Sequence, residues 1–311
     1  MDTRTLPAPA NGMLRARRPT GIVMALVVFA LAGVMQTVFT VVCAHLANAG
    51  SSSPSGSLAE MVAAFSATPL GVVMSLLSFT AALGVVWAWV RFKERRPFAS
   101  LGFERRAAAP RLALRGAGIG ALMLTVCALV PVAAGQTRIS WAAPDGASLL
   151  FIGIMLLGFI VQGSTEEILT RGFLTQAVAR RWGLVAAVIV QAVFFAAIHG
   201  ANPGMSVLPI VNLLLFAVFA SFMSLAEGSL WGVCAMHGVW NWAQGNFFGI
   251  AVSGSKAQDS VLTTTPVQGA NELITGGSFG AEGSLITTAV LLIGAGIAYR
   301  AWRGRAKTTA V

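Results

Sequence analysis

Residues 148–171 read SLLFIGIMLLGFIVQGSTEEILTR. Ser148 to Val161 is almost purely apolar, and the run then delivers two adjacent carboxylates, Glu166 and Glu167, followed by Arg171. An ionisable side chain at the centre of a bilayer costs about 3 kcal/mol on insertion scales, so such groups mark a polar cavity, a relay or a catalytic centre. Two of the three histidines, His199 and His237, fall in the next apolar segments. Two acids and two imidazoles inside one bundle are the ingredients for activating water.

The rest of the chain has the same character. Of its 311 residues, 56% are hydrophobic and 10% charged, against about 25% charged in a soluble domain. Apolar runs of about 20 residues recur, which predicts an all-α fold: a polytopic membrane helical bundle of about eight transmembrane helices. These are expected at 21–46, 69–90, 112–134, 149–179, 184–199, 208–226, 230–252 and 285–302. Residues 1–20 read as a flexible cytoplasmic N-terminal tail. Residues 21–307 read as a single transmembrane helical domain, with a motif-bearing core at 148–252 and a polar loop at 253–283. That loop is long enough to be a lid or a disordered segment. The first apolar run follows Arg15, Arg17 and Arg18 and precedes Ala47-Asn48-Ala49. It exceeds the apolar core of a signal peptide, about 7–15 residues, so it is expected to stay as the first membrane helix.

The net charge is +10. The charges flank apolar segments in clusters, so nucleic acid is not an expected partner and membrane lipid is. Basic residues collect in the tail (Arg4, Arg15, Arg17, Arg18), between 91 and 115 (Arg91, Lys93, Arg95, Arg96, Arg105, Arg106, Arg111, Arg115), at Arg180 and Arg181, and at the C-terminus (Arg300, Arg303, Arg305, Lys307). The alternate connections hold only Arg138 and Lys256. By the positive-inside rule both termini are cytoplasmic, in a bacterial inner (plasma) membrane. Trp87, Trp89, Trp182, Trp231 and Trp302 fall near the same face, as an aromatic belt does. Cys43, Cys127 and Cys234 lie in apolar stretches without metal or disulfide spacing and read as small core residues. Gly116-x-x-x-Gly120 reads as a close helix-packing face, since no strand precedes it to make a dinucleotide loop. The segment 97–106 mixes apolar and basic residues and is expected along the cytoplasmic interface.

At about 1.5 Å per residue, Glu166 stands roughly 20–25 Å above the turn at Arg181–Trp182, and His199 roughly 25 Å above it on the next helix. His237 and Asn241 stand about 12 and 18 Å above the start of theirs. Tilted helices bring these heights together. Glu167 and Arg171 have the i, i+4 spacing of a helix ion pair, acid first. Glu166 points about 100° away and stays available as a base. Phe195 lies one turn below His199 on the same face. His237 and Asn241 share a helix face, and both can donate to a developing oxyanion, each such donor being worth about 3–4 kcal/mol. Glu227, near a predicted cytoplasmic turn, reads as part of a solvated face, and His45 has no acid nearby.

The strings E-E-x-x-x-R, F-x-x-x-H and H-x-x-x-N occur in that order. With Glu166 to Leu174 (EEILTRGFL), His199 to Pro203 (HGANP) and His237 to Trp242 (HGVWNW), they resemble the CAAX protease and bacteriocin-processing (CPBP, or Abi) family of intramembrane endopeptidases. The likeness covers about residues 151–248. It implies a hydrolase acting on a short peptide or protein tail, a CAAX-type prenylated tail being one option. In that reading Glu166 deprotonates water with help from His199, His237 and Asn241 form the oxyanion hole, and Glu167, Arg171 and Phe195 support them. No cofactor is favoured. The alternative within the enzyme class is a zinc held by Glu166, His199 and His237, a ligand set that catalytic zinc accepts. Outside it stand a non-enzymatic scaffold or regulator and a proton-coupled transporter, the latter favouring an inverted repeat that is not evident.

Overall fold

The computed structural model describes residues 6–49, 57–256 and 258–308. It is an all-α membrane bundle. The helices are α1 (Ile22–Asn48), α2 (Leu58–Ser66), α3 (Pro69–Leu77), α4 (Phe79–Ala88), α5 (Ala109–Ala133), α6 (Gly146–Glu167), α7 (Thr175–Ile198), α8 (Val207–Glu227), α9 (Trp231–Trp242), the short α10 (Glu272–Thr275) and α11 (Leu285–Thr308). One antiparallel ribbon, β1 (Thr137–Trp141) with β2 (Leu262–Pro266), pairs Ile139 with Thr264. The helices are apolar on both faces: α1 buries Ala25, Val28 and Ala32 and leaves Val23, Val27 and Val34 exposed. A helix apolar all round suits a hydrocarbon solvent.

Among the described residues, six stretches are long and apolar enough to cross a membrane, against the eight expected. The difference has two sources. The helices expected at 149–179 and 184–199 form one stretch, Gly146–Ile198, turned at Gly183 (φ 84°, ψ 172°) with no intervening loop. Only glycine takes that conformation cheaply. The helix expected at 230–252 has only α9 and a π segment, Ala243–Phe247.

Glycines set the helix spacing around α9. A Cβ at Gly116 would collide with Gly232 O, and one at Gly120 with Met236 O, whereas Gly118 faces open space. The expected small-residue face therefore packs α5 on α9. On the other side, a Cβ at Gly163 would come to 2.8 Å from Gly238 N, and one at Gly238 to 2.8 Å from Ile160 Cα. This closeness of α6 and α9 lets side chains one turn from Gly163 reach His237.

Asp145 caps α6, accepting from Ser148 N at 2.8 Å. That capping bond holds the Asp145 carboxyl below its ordinary range. At the other end α6 runs into a π segment, Ile168–Leu174. Hydroxyls satisfy the widened turns: Thr170 Oγ1 donates to Glu166 O at 2.5 Å and Thr175 Oγ1 to Thr170 O at 2.8 Å. Single-turn π segments of this kind often mark functional sites.

Three local expectations change. Where a free tail was expected, residues 9–13 are docked: Ala10 and Met13 are buried, and Gln176 Nε2 donates to Pro9 O at 2.8 Å and Ser100 O at 2.9 Å. Met1–Thr5 lie outside the described residues. In the segment expected along the interface, Ser100 and Leu101 are buried; just before it, Arg96 is buried too and reaches Glu94 Oε2 at 2.6 Å and Gln176 Oε1 at 2.6 Å. Burial lowers the Arg96 pKa, and Glu94 opposes that. Glu227, expected on a solvated face, is buried with Arg115 at 3.5 Å, because α5 and α9 close over the end of α8. Cys127 and Cys234 are buried and all three cysteines are free.

Candidate active site

Glu167 sits at the end of α6, wholly buried, with Arg171 Nη1 donating to its Oε1 at 3.0 Å. The i, i+4 pair expected from the spacing is present. The same oxygen accepts from His237 Nδ1 at 2.9 Å. The guanidinium of Arg171 lies 4.6 Å above the Phe195 ring, a cation–π contact, and also meets Thr170 Oγ1 at 2.9 Å. Phe195 is the hub of an aromatic wall, with centroids 4.9 Å from His199, 5.6 Å from Phe216 and 6.0 Å from His237.

Glu166 diverges from its neighbour, as expected. Its Oε1 accepts from Gln162 Nε2 at 2.7 Å. Its Oε2 is buried without a hydrogen bond among the described residues, 3.7 Å from His237 Nε2. The imidazole of His237 thus lies between two carboxylates, Glu167 bonded at Nδ1 and Glu166 facing Nε2. A polar gap of that length is one a water bridges. Gln162 links onward, its Oε1 accepting from Asn241 Nδ2 at 2.8 Å. The Asn241 amide is therefore oriented, with a second N–H to give.

His199 stands just past the end of α7, and its Nδ1 donates to Phe195 O at 2.8 Å. This fixes the tautomer and leaves Nε2 free for chemistry. His199, His237 and Asn241 line one cavity, together with Phe195 and Phe216. Glu166 does not line it; it meets the wall through His237 and, by way of Gln162, Asn241. The structure records no hydrogen bond between Glu166 and His199, and the imidazole beside Glu166 is His237.

The sequence reading missed Gln162, Phe216 and Glu282. Gln162 carried a signal, being a polar residue one turn before Glu166 on the same face. Phe216 had none in an all-apolar helix. Glu282 belongs to the polar loop and lines the same cavity. Burial pushes its carboxyl above the ordinary range, opposed by donors from Ser253 and by His199 nearby.

A zinc ion at Glu166, His199 and His237 needs three donors converging on one point. Among the described residues no group of three His, Cys, Asp or Glu side chains is placed to hold a metal. The donor set does not fit.

Buried carboxylates, two imidazoles and an oriented amide thus stand together within a membrane bundle. Residues 148–243 match the family described as type II CAAX prenyl endopeptidase, Rce1-like. The chain thus carries a domain of that family, consistent with the CPBP intramembrane proteases, and is an integral membrane hydrolase, a CAAX-type endopeptidase. The matched residues hold Gln162, Glu166, Glu167, Arg171, His199, His237 and Asn241. Comparisons with curated proteins and with solved structures find no match.

Proposed function

We propose that the protein hydrolyses a peptide bond in a short peptide or protein tail with a water deprotonated by Glu166. The observation that carries this is the buried, unbonded Oε2 of Glu166 facing His237 Nε2 at 3.7 Å. Glu166 takes the proton as the hydroxide adds to the carbonyl, and gives it to the amide nitrogen as the C–N bond breaks and the amine leaves. His199 presents Nε2 into the cavity and holds the attacking water from the substrate side. The oxygen of the attacked carbonyl, as it gains charge, meets Asn241 Nδ2 and His237. With Nδ1–H given to Glu167, His237 donates from Nε2 in its charged form. Two preorganised donors of this kind supply several kcal/mol of transition-state stabilisation. Glu167 and Arg171 hold His237 in place, and Gln162 holds Asn241.

The reading is metal-free. It places the protein in a bacterial inner membrane with both termini cytoplasmic. Support comes from the basic residues of three distant segments meeting at one end of the bundle: Arg15 with Glu104, Arg105 with Glu227 O, and Arg305 Nη1 with Ala226 O at 3.1 Å.

The test uses the full chain in liposomes with internally quenched peptides. Wild type cleaves and Glu166→Gln does not, although both fold. Equal cleavage by the two proteins refutes the role of Glu166. Activity lost to a chelator and restored by zinc refutes the metal-free mechanism.

A further inference from the structure

The loop between α9 and α11 returns one acidic side chain to the cavity. Glu282 lies on the turn Ala281–Gly283, just before α11. The backbone there is pinned from α8, where Asn212 Nδ2 donates to Glu282 O at 2.7 Å and to Ser284 O at 2.9 Å. Gly280 takes φ 94°, and a Cβ there would collide with Ala251 O, so the turn is built close against the preceding strand of loop.

The carboxylate is held by one oxygen only. Oε2 accepts from Ser253 N at 2.7 Å, Ser253 Oγ at 3.0 Å and Gln244 Nε2 at 3.2 Å. Among the described residues, Oε1 has no hydrogen bond and neither oxygen has a lysine or arginine in ion-pair reach. Glu282 is also the only carboxylate among the cavity-lining residues, and no lysine or arginine lines the cavity with it. A partly buried carboxylate with only the His199 imidazole near it can take a further cation, which offsets the cost of its burial. The upward push on its carboxyl noted above is the same imbalance seen by the proton. The walls are suited to an alkyl stem, since Phe216, Leu213 and Leu291 line the same space.

We propose that Glu282 determines specificity, its free Oε1 receiving the ammonium or guanidinium of a Lys or Arg side chain next to the scissile bond. The proposal rests on the cavity being the peptide site. It assigns to the substrate a basic residue that the apolar walls and the imidazoles do not themselves require.

Two quenched peptides that differ only in Lys or norleucine beside the scissile bond test it, with full-length protein in liposomes. Wild type is expected to prefer the Lys peptide at least tenfold in kcat/KM, and Glu282→Gln to bring the ratio to about one. Glu282→Arg is expected to turn the preference toward a peptide with Glu at that position. A wild type without preference overturns the proposal. So does an equal loss on both peptides in Glu282→Gln, which assigns the carboxylate to His199 instead. Cleavage of neither peptide sinks the peptidase reading, and binding then decides this one. Anisotropy of the labelled Lys peptide should show at least tenfold weaker binding to Glu282→Gln than to wild type, and equal binding overturns the proposal.

Discussion

Replacing Glu167 by alanine should damage stability and catalysis by separable routes. One oxygen of Glu167 serves Arg171 Nη1 at 3.0 Å and His237 Nδ1 at 2.9 Å. Each charge-assisted bond contributes about 1.5–3 kcal/mol. The loss also strands the guanidinium of Arg171, which is 1% exposed. Breaking a buried pair from one side costs about 3–5 kcal/mol, most of it the uncompensated charge. Thr170 Oγ1 and the Phe195 face remain as partial partners and set the lower end of that range. Adding Arg171→Met removes the stranded charge and replaces it with an apolar chain of similar length. The double variant should therefore regain about 2 kcal/mol or more over Glu167→Ala alone. Activity should not return, because His237 still lacks its Nδ1 anchor; loss of such an orienting carboxylate costs about 10²- to 10⁴-fold. Unfolding in mixed micelles, followed by tryptophan fluorescence, gives the stabilities, and quenched-peptide cleavage gives the rates. Additive destabilisation in the double variant would refute the claim that the pair is one electrostatic unit. Recovered cleavage would refute the role of Glu167 at His237.

Three further outcomes follow from the geometry. Gly116→Ala should destabilise the bundle by about 1–3 kcal/mol through overpacking against the Gly232 backbone, while Gly118→Ala, facing open space, should not; equal effects on unfolding would refute the α5–α9 contact. Gln162→Leu should lower kcat more than KM, because it frees both Glu166 Oε1 and the Asn241 amide without altering the Phe195–Phe216 wall; a change confined to KM would argue against it. For Glu282 the folded-state pKa is raised, so the proton is held in the fold where the unfolded chain has already lost it. Its contribution to stability is whole below the ordinary carboxylate range and declines as pH rises through the raised value. Glu282→Gln should remove that decline, and parallel pH–stability curves for the two proteins would contradict it.

Much of the site was legible because its residues sit on helices, where spacing dictates facing. Glu167 and Arg171 pair as i, i+4, Phe195 lies under His199, and Gly116 and Gly120 share a packing face, each readable from one period. What crosses between helices was less so. The depth estimate brought His199 and His237 together, but which imidazole stands beside Glu166 depends on the Gly163–Gly238 approach, a three-dimensional fact. Glu282 was illegible because an irregular loop has no period, and only the bonds to Asn212, Ser253 and Gln244 determine where it returns. The β1–β2 ribbon escaped for a related reason: neither strand has a regular buried face to pattern its sequence. The docked residues 9–13 escaped because two apolar anchors, Ala10 and Met13, do not stand out in a short stretch of Pro, Ala and Gly without a period.

That docked segment also orders events during synthesis. Pro9 leaves the ribosome 167 residues ahead of Gln176, yet its carbonyl is bound by that side chain, beside Ser100. The segment around Pro9 must wait until residue 176 has been made and inserted. Only then can it close the seam between Ser100 and the start of α7. A nascent chain stopped before residue 176 should expose residues 9–13 to protease, and one released beyond it should shield them.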